Sequence, residues 1–247
     1  QYQKEMQNLN DIVPELYQMA YDKYNQEGQD LYNQYSMLGA QEDQDYGRYR
    51  DSVSDWRSER DYLAGLFYWT GFDYRGEPNP MTFPATSSEF GILDYCGFPK
   101  DEAYYLKSWW TDEPVLHILP HWNLDGHEGE KISVWVYSNC DEVQLTVNGR
   151  RLERKKMPVN GHLEWTATYK PGYVKAVGYK NGRKVMEERI ETTGKAVRSE
   201  ITYDTVGDIS IATIRMVDEK GRFVPTANEK VNFNTDGSWR ILGWGNG

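Results

Sequence analysis

The stretch from Leu63 to Trp110 is the part of the sequence that most restricts the fold. It opens with an apolar run, Leu63–Trp69, which has the length and aromatic content of a buried strand. Glycines and prolines between Gly71 and Pro80 then break any regular element, so the polar residues there lie on a loop. A helical pattern follows over Lys100–Trp110. A strand, a loop at its C-terminal end and a closing helix are the parts of one β/α unit, and in a β/α barrel that loop carries the chemistry.

Residues 1–60 are polar and have the periodicity of helices. One apolar stripe contains Leu9, Ile12, Val13, Leu16, Tyr17, Ala20 and Tyr24, and a second contains Tyr46, Tyr49, Val53 and Trp56. We expect both stripes to be packing faces of antiparallel helices. Such helices cannot supply the strands that a buried barrel strand needs on both of its edges, so the chain does not encode a complete barrel.

The pattern from Pro114 onward is all-β. The strand-like runs are Val115–Leu119, Ile132–Tyr137, Val143–Val147, His162–Tyr169, Val174–Tyr179 and Val185–Glu191. The pairs Asn148-Gly149 and Asn181-Gly182 indicate hairpin turns with positive φ at both central residues. Six or seven short strands in this span are typical of an immunoglobulin-like sandwich.

The last part of the chain, Val197–Gly247, begins the β pattern again. We expect a strand over Ile209–Val217, a turn at Asp218–Arg222, and short strands over Val231–Asn234 and Arg240–Gly243. A sandwich that stopped there would expose an edge and part of its core, which natural proteins avoid. We therefore expect the source protein to be longer than this chain.

Composition excludes some classes of function. The net charge of -10 argues against nucleic acid as a partner. No apolar run approaches the length that crosses a bilayer. The spacing of Cys96 and Cys140 fits no zinc pattern, and we expect both to be free thiols. His117 and His121 are expected to be structural, so neither a metal nor a cofactor is predicted.

Three segments carry a family resemblance: WTGFDYRGEPNP, SSEFGILDYCGFPKDEAYYLKSWW, and PVLHILPHWNLDGHEGEKISVWVYSNCDEVQLTVNGRRL. Together they resemble bacterial glycoside hydrolase family 2 proteins of the β-galactosidase type, from about Asp61 to Gly247. The resemblance implies a multidomain protein. Residues 61–112 would be the last β/α unit of the catalytic TIM barrel, residues 113–194 an immunoglobulin-like sandwich, and residues 195–247 an incomplete bacterial Ig-like domain.

The resemblance also implies a function: the C-terminal portion of a β-glycosidase that cleaves a β-galactoside or a related sugar by a retaining mechanism. Retaining enzymes use two carboxyl groups. In the family both come from earlier barrel strands, and no motif here matches them, so no catalytic residue is assigned and this segment alone is expected to be inactive. The family places Trp69 beside the sugar subsite, with Asp73, Glu77 and Phe90 as weaker substrate-binding candidates. Packing of Trp69 in a core and turn chemistry at Asp73 and Glu77 are the competing interpretations.

The expected partners are therefore carbohydrate and the remainder of a larger polypeptide or partner chains, and the family favours a periplasmic or secreted location. A second hypothesis comes from residues 1–60. The segment DYGRYRDSVSDW resembles helical segments of phage structural proteins. The alternative is then a non-catalytic structural or carbohydrate-binding protein, in which a helical segment is fused to sandwiches derived from a hydrolase.

Overall fold

The computed structural model describes residues 67–76, 87–88, 90–229, 231–232, 235, 237–243 and 245. The predicted helical segment at 1–60 lies outside the described residues, as does Glu77. The chain divides into two units, 1–66 with 159–161, and 67–158 with 162–247. In the described part of the first unit, Asn160 lies in a turn with a φ of 53°. All elements below belong to the second unit.

Where the structure describes it, this unit consists mainly of β-strands and has one helix. In chain order they are β1 (Tyr74–Arg75), β2 (Ser87–Ser88), α1 (Asp101–Trp110), β3 (Leu116–Leu119), β4 (Lys131–Ser138), β5 (Glu142–Val147), β6 (Arg150–Lys156), β7 (Leu163–Thr168), β8 (Tyr173–Lys180), β9 (Arg183–Glu191), β10 (Arg198–Val206) and β11 (Ile209–Val217). The helix confirms the pattern seen at Lys100–Trp110, with Lys100 as its N-terminal cap residue. Within the described residues, no helix is both long and apolar enough to cross a membrane.

Strands β3 to β9 form two antiparallel sheets. The first has the order β3-β4-β7 and the second the order β6-β5-β8-β9. Alternate residues of these strands point inward, and valines, leucines, Trp122 and Trp165 fill the space between the sheets. Each predicted strand run from 115 to 191 is found, with ends that differ by a residue or two. This arrangement agrees with the β-sandwich expected for the central part of the chain.

The two predicted hairpin turns are confirmed by their backbone angles. Asn148 and Gly149 have φ values of 47° and 84°, and Asn181 and Gly182 have 52° and 73°. Strand β6, RRLERKK, follows the first turn and was missed by the sequence analysis. It lies at the edge of its sheet, where charged residues discourage pairing with other chains and hide the apolar alternation of a strand.

Helix α1 covers the outer face of the three-stranded sheet. Its Tyr105 and Leu106 pack against Trp135 and Tyr137 of β4, and the rings of Tyr105 and Tyr137 meet edge to face at 5.6 Å. Because β4 is covered on both sides, its residues from Val134 to Ser138 are all buried. The acidic first turn of α1 also matches the positive end of the helix dipole.

Strands β10 and β11 form a separate two-stranded hairpin. The predictions of a strand at Ile209–Val217 and a turn at Asp218–Arg222 are confirmed. The predicted strands farther on are wrong where they are described, because Val231, Asn232 and Arg240–Gly243 belong to no strand. Sequence alternation alone does not make a strand, which needs a neighbouring strand to pair with.

The predicted buried strand at Leu63–Trp69 is also not found in its described part. Phe67 to Trp69 form no strand, and the side chains of Phe67 and Trp69 are exposed. A barrel strand is buried and stabilised by strands on both edges. The described part of the chain pairs no strand with these three residues, so their apolar character cannot be buried in that way.

Candidate functional site

Two short segments, Thr70–Asp73 and Phe90–Leu93, form the frame of the candidate site. Four backbone hydrogen bonds join them, with N···O distances from 2.9 to 3.3 Å, and Phe72 and Leu93 form a parallel bridge. The first of these bonds runs from the Thr70 nitrogen to the Phe90 oxygen. The pairing therefore brings Trp69, which directly precedes Thr70, to the same end of the frame as Phe90.

Gly91 is needed for this close pairing. A Cβ atom added at Gly91 would lie 2.2 Å from the backbone nitrogen of Asp73 and 2.3 Å from the carbonyl carbon of Phe72. Backbone atoms cannot yield to such a contact without moving the whole segment. The second segment can approach the first only because glycine has no side chain at this point.

Asp73 ties the frame to the helix that follows. The residue is 8% exposed, and Oδ1 accepts hydrogen bonds from the Gly91 nitrogen at 2.8 Å and from Lys100 Nζ at 2.7 Å. Lys100 immediately precedes α1. One carboxylate oxygen therefore contacts the loop segment, and through Lys100 the start of the helix. This geometry is that of a residue that orders a loop.

Trp69 lies at the exposed end of the frame. Its side chain is 74% exposed, and its Nε1–H donates to the Tyr74 hydroxyl at 3.3 Å. The Trp69–Thr70 peptide bond is cis. Phe90, at the same end, is 38% exposed. Phe72, Tyr95 and Phe98 are exposed as well, so the frame is surrounded by aromatic side chains that contact solvent.

Known proteins are similar to this chain over about three quarters of its length. A β-galactosidase of Bacteroides ovatus is 42% identical over 198 residues, which are 76% of this chain and 23% of that protein. A putative β-glucuronidase of Formosa agariphila is 35% identical over 206 residues, or 78% of this chain and 20% of that protein. The crystal structure of a β-glycosidase from Bacteroides vulgatus has a TM-score of 0.66 and 30% identity, and covers 71% of this chain and 23% of that one.

This chain is homologous to the C-terminal part of β-galactosidases and β-glucuronidases of glycoside hydrolase family 2. A sequence family described as a domain of unknown function, DUF4982, matches residues 129–186. That span runs from just before β4 into β9, so it corresponds to most of the sandwich. The chain spans only between a fifth and a quarter of the length of the curated relatives described above.

Asp94 shapes the loop next to the frame. Its Oδ1 accepts hydrogen bonds from the nitrogens of Cys96 and Phe98, both at 2.8 Å, which is the geometry of an Asx turn. Partial burial, together with the Asp94 charge, raises the pKa of the Cys96 thiol. Because the thiolate is the reactive form, Cys96 is a poor nucleophile here. Both cysteines are free, as expected.

His117 has carboxylate partners that the sequence analysis missed. Its Nε2 lies 2.6 Å from Oδ1 of Asp101 in α1, its Nδ1 lies 3.8 Å from Oε1 of Glu188 in β9, and its ring stacks on Tyr104 at 3.8 Å. These partners are distant in sequence, so local spacing carried no sign of them. His117 thus links the helix to both sheets. The described residues contain no cluster of side chains suited to a metal ion.

Burial governs the electrostatics around His117. It raises the pKa of Glu188, although the nearby His117 and the Ile118 N–H, 2.8 Å from Oε2, oppose the shift. Burial also lowers the pKa of His121, and Asp101 partly offsets this. Both groups are therefore shifted toward their neutral forms, which suits a packed joint between elements.

Proposed function

We propose that this chain is the C-terminal portion of a family 2 β-glycosidase that hydrolyses a β-galactoside or a related β-linked sugar by the retaining mechanism. The β-galactosidase and β-glucuronidase among the relatives both act on β-linked sugars, as their names say. The catalytic carboxyl pair would come from residues that precede Gln1 in a longer polypeptide. The observation that carries the proposal is the backbone pairing that places Trp69 and Phe90 together at the exposed end of the frame.

Trp69 and Phe90 are proposed to form the apolar wall of a sugar subsite. The C–H face of a pyranose ring packs well on an aromatic face, and an indole offers the largest such face. The hydrogen bond from Nε1 to Tyr74 limits the orientation of the indole ring. An exposed and oriented ring loses little conformational freedom when a sugar binds, which favours binding.

Asp73 is proposed to act as a positioning residue rather than as a sugar ligand. Its carboxylate is buried and points toward Gly91 and Lys100. Holding these groups fixes the distance between the segment that follows Trp69 and the segment that begins at Phe90. Glu77, four residues after Asp73 in the sequence, is proposed to hydrogen-bond the sugar.

We further propose that residues 61–112 are the last β/α unit of the catalytic barrel. The exposed apolar side chains of Phe67 and Trp69 support this, because a barrel strand is apolar on both faces and needs neighbouring strands to bury it. Residues 113–194 would be the immunoglobulin-like sandwich and residues 195–247 part of a second, Ig-like module. The exposed apolar residues of the β10–β11 hairpin, such as Ile201 and Tyr203, support the second module.

The sugar subsite can be tested in this chain by NMR. We expect the Trp69 indole N–H signal, one of nine such signals, to shift on titration with methyl β-galactoside. A single stacked ring should give a Kd of roughly millimolar size. Trp69→Ala should abolish the sugar-dependent NMR shifts of residues in the frame. Trp110→Ala is the matched control, since Trp110 is similarly exposed at 68% but lies at the end of α1. If no indole signal moved with the sugar, the proposed subsite would be wrong.

A further inference from the structure

The charge of this chain is unevenly distributed. The whole chain has a net charge of -10. Between Lys131 and Glu191, however, twelve lysines and arginines face seven aspartates and glutamates, which leaves an excess of positive charge in the sandwich. Such an asymmetry within one chain points to a partner of opposite charge.

Three of these twelve cations lie in one row across the outer face of the four-stranded sheet. Thr146 of β5 is paired with Arg151 of β6 on one side and with Lys175 of β8 on the other, and Lys175 is paired with Arg189 of β9. Directly paired residues point to the same side of a sheet. That side is opposite the core, since the neighbours of Thr146 in β5 are core residues. We call Arg151, Lys175 and Arg189 the cationic row.

The cationic row is costly for the sheet. Lys175 and Arg189 are like charges at directly opposite positions, which destabilises an antiparallel pair. Arg189 is partly balanced by Glu191, and Lys175 by the field of Glu187, whose own hydrogen bond goes to Lys184. Violations of a local rule tend to occur where a sequence serves a function.

Protection of a sheet edge explains only part of this pattern. Charged residues on β6, including Arg151, would discourage pairing with another chain because β6 is an edge strand. Lys175 lies on β8, in the interior of the sheet, where no edge needs protection. In addition, Arg151 has no ion pair with any residue in the described part of the chain. Arg151 and Lys175 are therefore available to a ligand.

The rest of the face indicates what kind of anion fits. Arg154 and Arg189 lie over the rings of Tyr179 and Tyr173, each at 3.7 Å, so these rings are not available for base stacking. Carboxylates are interspersed among the cations and lower the charge density, which disfavours the closely spaced phosphates of nucleic acid. Carboxylates can, however, accept hydrogen bonds from sugar hydroxyls.

We propose that the cationic row binds an acidic polysaccharide, a chain of sugars in which some residues bear carboxylates. Arginine side chains bind carboxylates with two parallel hydrogen bonds. Lys175 adds a point charge at the centre of the row. The choice of a carbohydrate rests on the proposed function of the chain. The surface would hold a polymeric substrate on the protein while the catalytic part of the longer polypeptide cleaves it.

Polygalacturonate is a suitable probe, because its fully methyl-esterified form has the same backbone without the charge. We expect the chain to bind polygalacturonate at low salt in affinity electrophoresis and calorimetry, and not to bind the ester. The double variant Arg151→Glu/Lys175→Glu should bind at least about tenfold more weakly, since two charge-assisted contacts are lost. The matched control, Lys131→Glu/Lys170→Glu, makes the same change in net charge at exposed positions outside the cationic row and should bind like the original chain.

Folding is not expected to limit this test, because Lys175→Glu replaces a like-charge pair with an opposite-charge pair at Arg189. Circular dichroism and thermal melting of both variants check this point. The proposal is wrong if polygalacturonate does not bind, if both double variants lose the same affinity, or if oligothymidylate binds more tightly than polygalacturonate. Retention of the Trp69 response to methyl β-galactoside in Arg151→Glu/Lys175→Glu would separate this surface from the proposed sugar subsite.

Discussion

Arg222 donates two hydrogen bonds to the buried carboxylate of Asp218, with Nη2 2.6 Å and Nε 2.9 Å from the same oxygen, Oδ2. The other guanidinium nitrogen, Nη1, binds Glu191 at the end of β9 at 2.9 Å. Asp218 also accepts the backbone N–H of Gly194, which lies between the sandwich and the hairpin, at 3.0 Å. These contacts fix the turn after β11 to the end of the sandwich.

The first prediction concerns the acid stability of this junction. The hydrogen bonds from Arg222, with those of backbone N–H groups, hold the pKa of Asp218 well below its ordinary value although burial opposes them. A depressed pKa means that the stabilisation is complete above the pKa of the unfolded chain, about 3.9, and is lost as the pH falls below it. We expect Asp218→Asn to lower the melting temperature at neutral pH. The melting temperature of this variant should also fall less than that of the original chain as the pH is lowered.

Thermal melts by circular dichroism between neutral pH and about pH 2 would measure both effects, over the range in which an ordinary aspartate titrates. Asp208→Asn is a suitable control, because Asp208 is exposed in the turn between β10 and β11. The assignment would fail if the two variants had the same acid profile.

The second prediction concerns Glu188 beside His117. Its raised pKa means that the folded chain binds a proton there more tightly than the unfolded chain. Stability is therefore lost as the pH rises from below about 4.3, the ordinary glutamate value, through the folded pKa. Glu188→Gln keeps an oxygen for the Ile118 N–H and should be at least as stable at neutral pH. Glu188→Ala leaves that N–H unpaired and should cost roughly 1–3 kcal/mol.

Urea denaturation at neutral pH and near pH 4 would compare these variants, because the ionisation of an ordinary glutamate lies between those conditions. The stability that Glu188→Gln gains over the original chain at neutral pH should disappear at the lower of the two pH values. A large loss of stability in Glu188→Gln at neutral pH would contradict this view and show that attraction to His117 outweighs the cost of burial.

Much of the sandwich was predictable because its strands and turns are determined by residues that are close together in the sequence. Alternating apolar residues gave the strands with buried inner faces, and asparagine-glycine pairs gave two turns whose positive φ values few other residues tolerate. Strand β6 was missed because its alternation is hidden by charges that suit an edge. The continuous burial of β4 depends on α1 lying over its outer face, which no local pattern reveals.

The candidate site was predictable only in part. The resemblance pointed to Trp69 and Phe90, but their shared position depends on a pairing between segments about twenty residues apart, which Gly91 permits. The burial of Asp73 depends on Lys100, and the partners of His117 come from a helix and a distant strand. Contacts of this kind are set by tertiary packing.

The third prediction tests the frame through Gly91. A methyl group at Gly91 would collide with the backbone at Asp73 and Phe72, so Gly91→Ala should separate the two paired segments. We expect the Trp69 indole response to methyl β-galactoside to be lost. Gly71→Ala is the matched control, because an added Cβ at Gly71 has no atom within 4 Å. An unchanged sugar response in Gly91→Ala would mean that the frame does not position Trp69.

The fourth prediction concerns the predicted sandwich at residues 113–194. We expect this piece to fold by itself with a cooperative melt, since its strands, turns and core agree with one another. It should be less stable than residues 100–194, which retain α1 over Trp135 and Tyr137. Burial of one large apolar side chain is worth about 1.5–3 kcal/mol, so loss of the helix should cost several times that. Equal melting temperatures of the two pieces would show that α1 adds nothing.

The last prediction is that this chain alone does not hydrolyse nitrophenyl β-galactoside. A retaining glycosidase needs two carboxyl groups about 5–5.5 Å apart, one as nucleophile and one as acid and base. Asp73 is the carboxylate held within the paired frame, and it is bound to Lys100 and to the backbone of Gly91. An aromatic wall can bind a sugar, but it cannot attack the glycosidic bond or donate a proton to it. The purified chain and its Trp69→Ala variant should therefore show the same background rate. Turnover that Trp69→Ala or Glu77→Gln abolished would mean that this chain contains a working site.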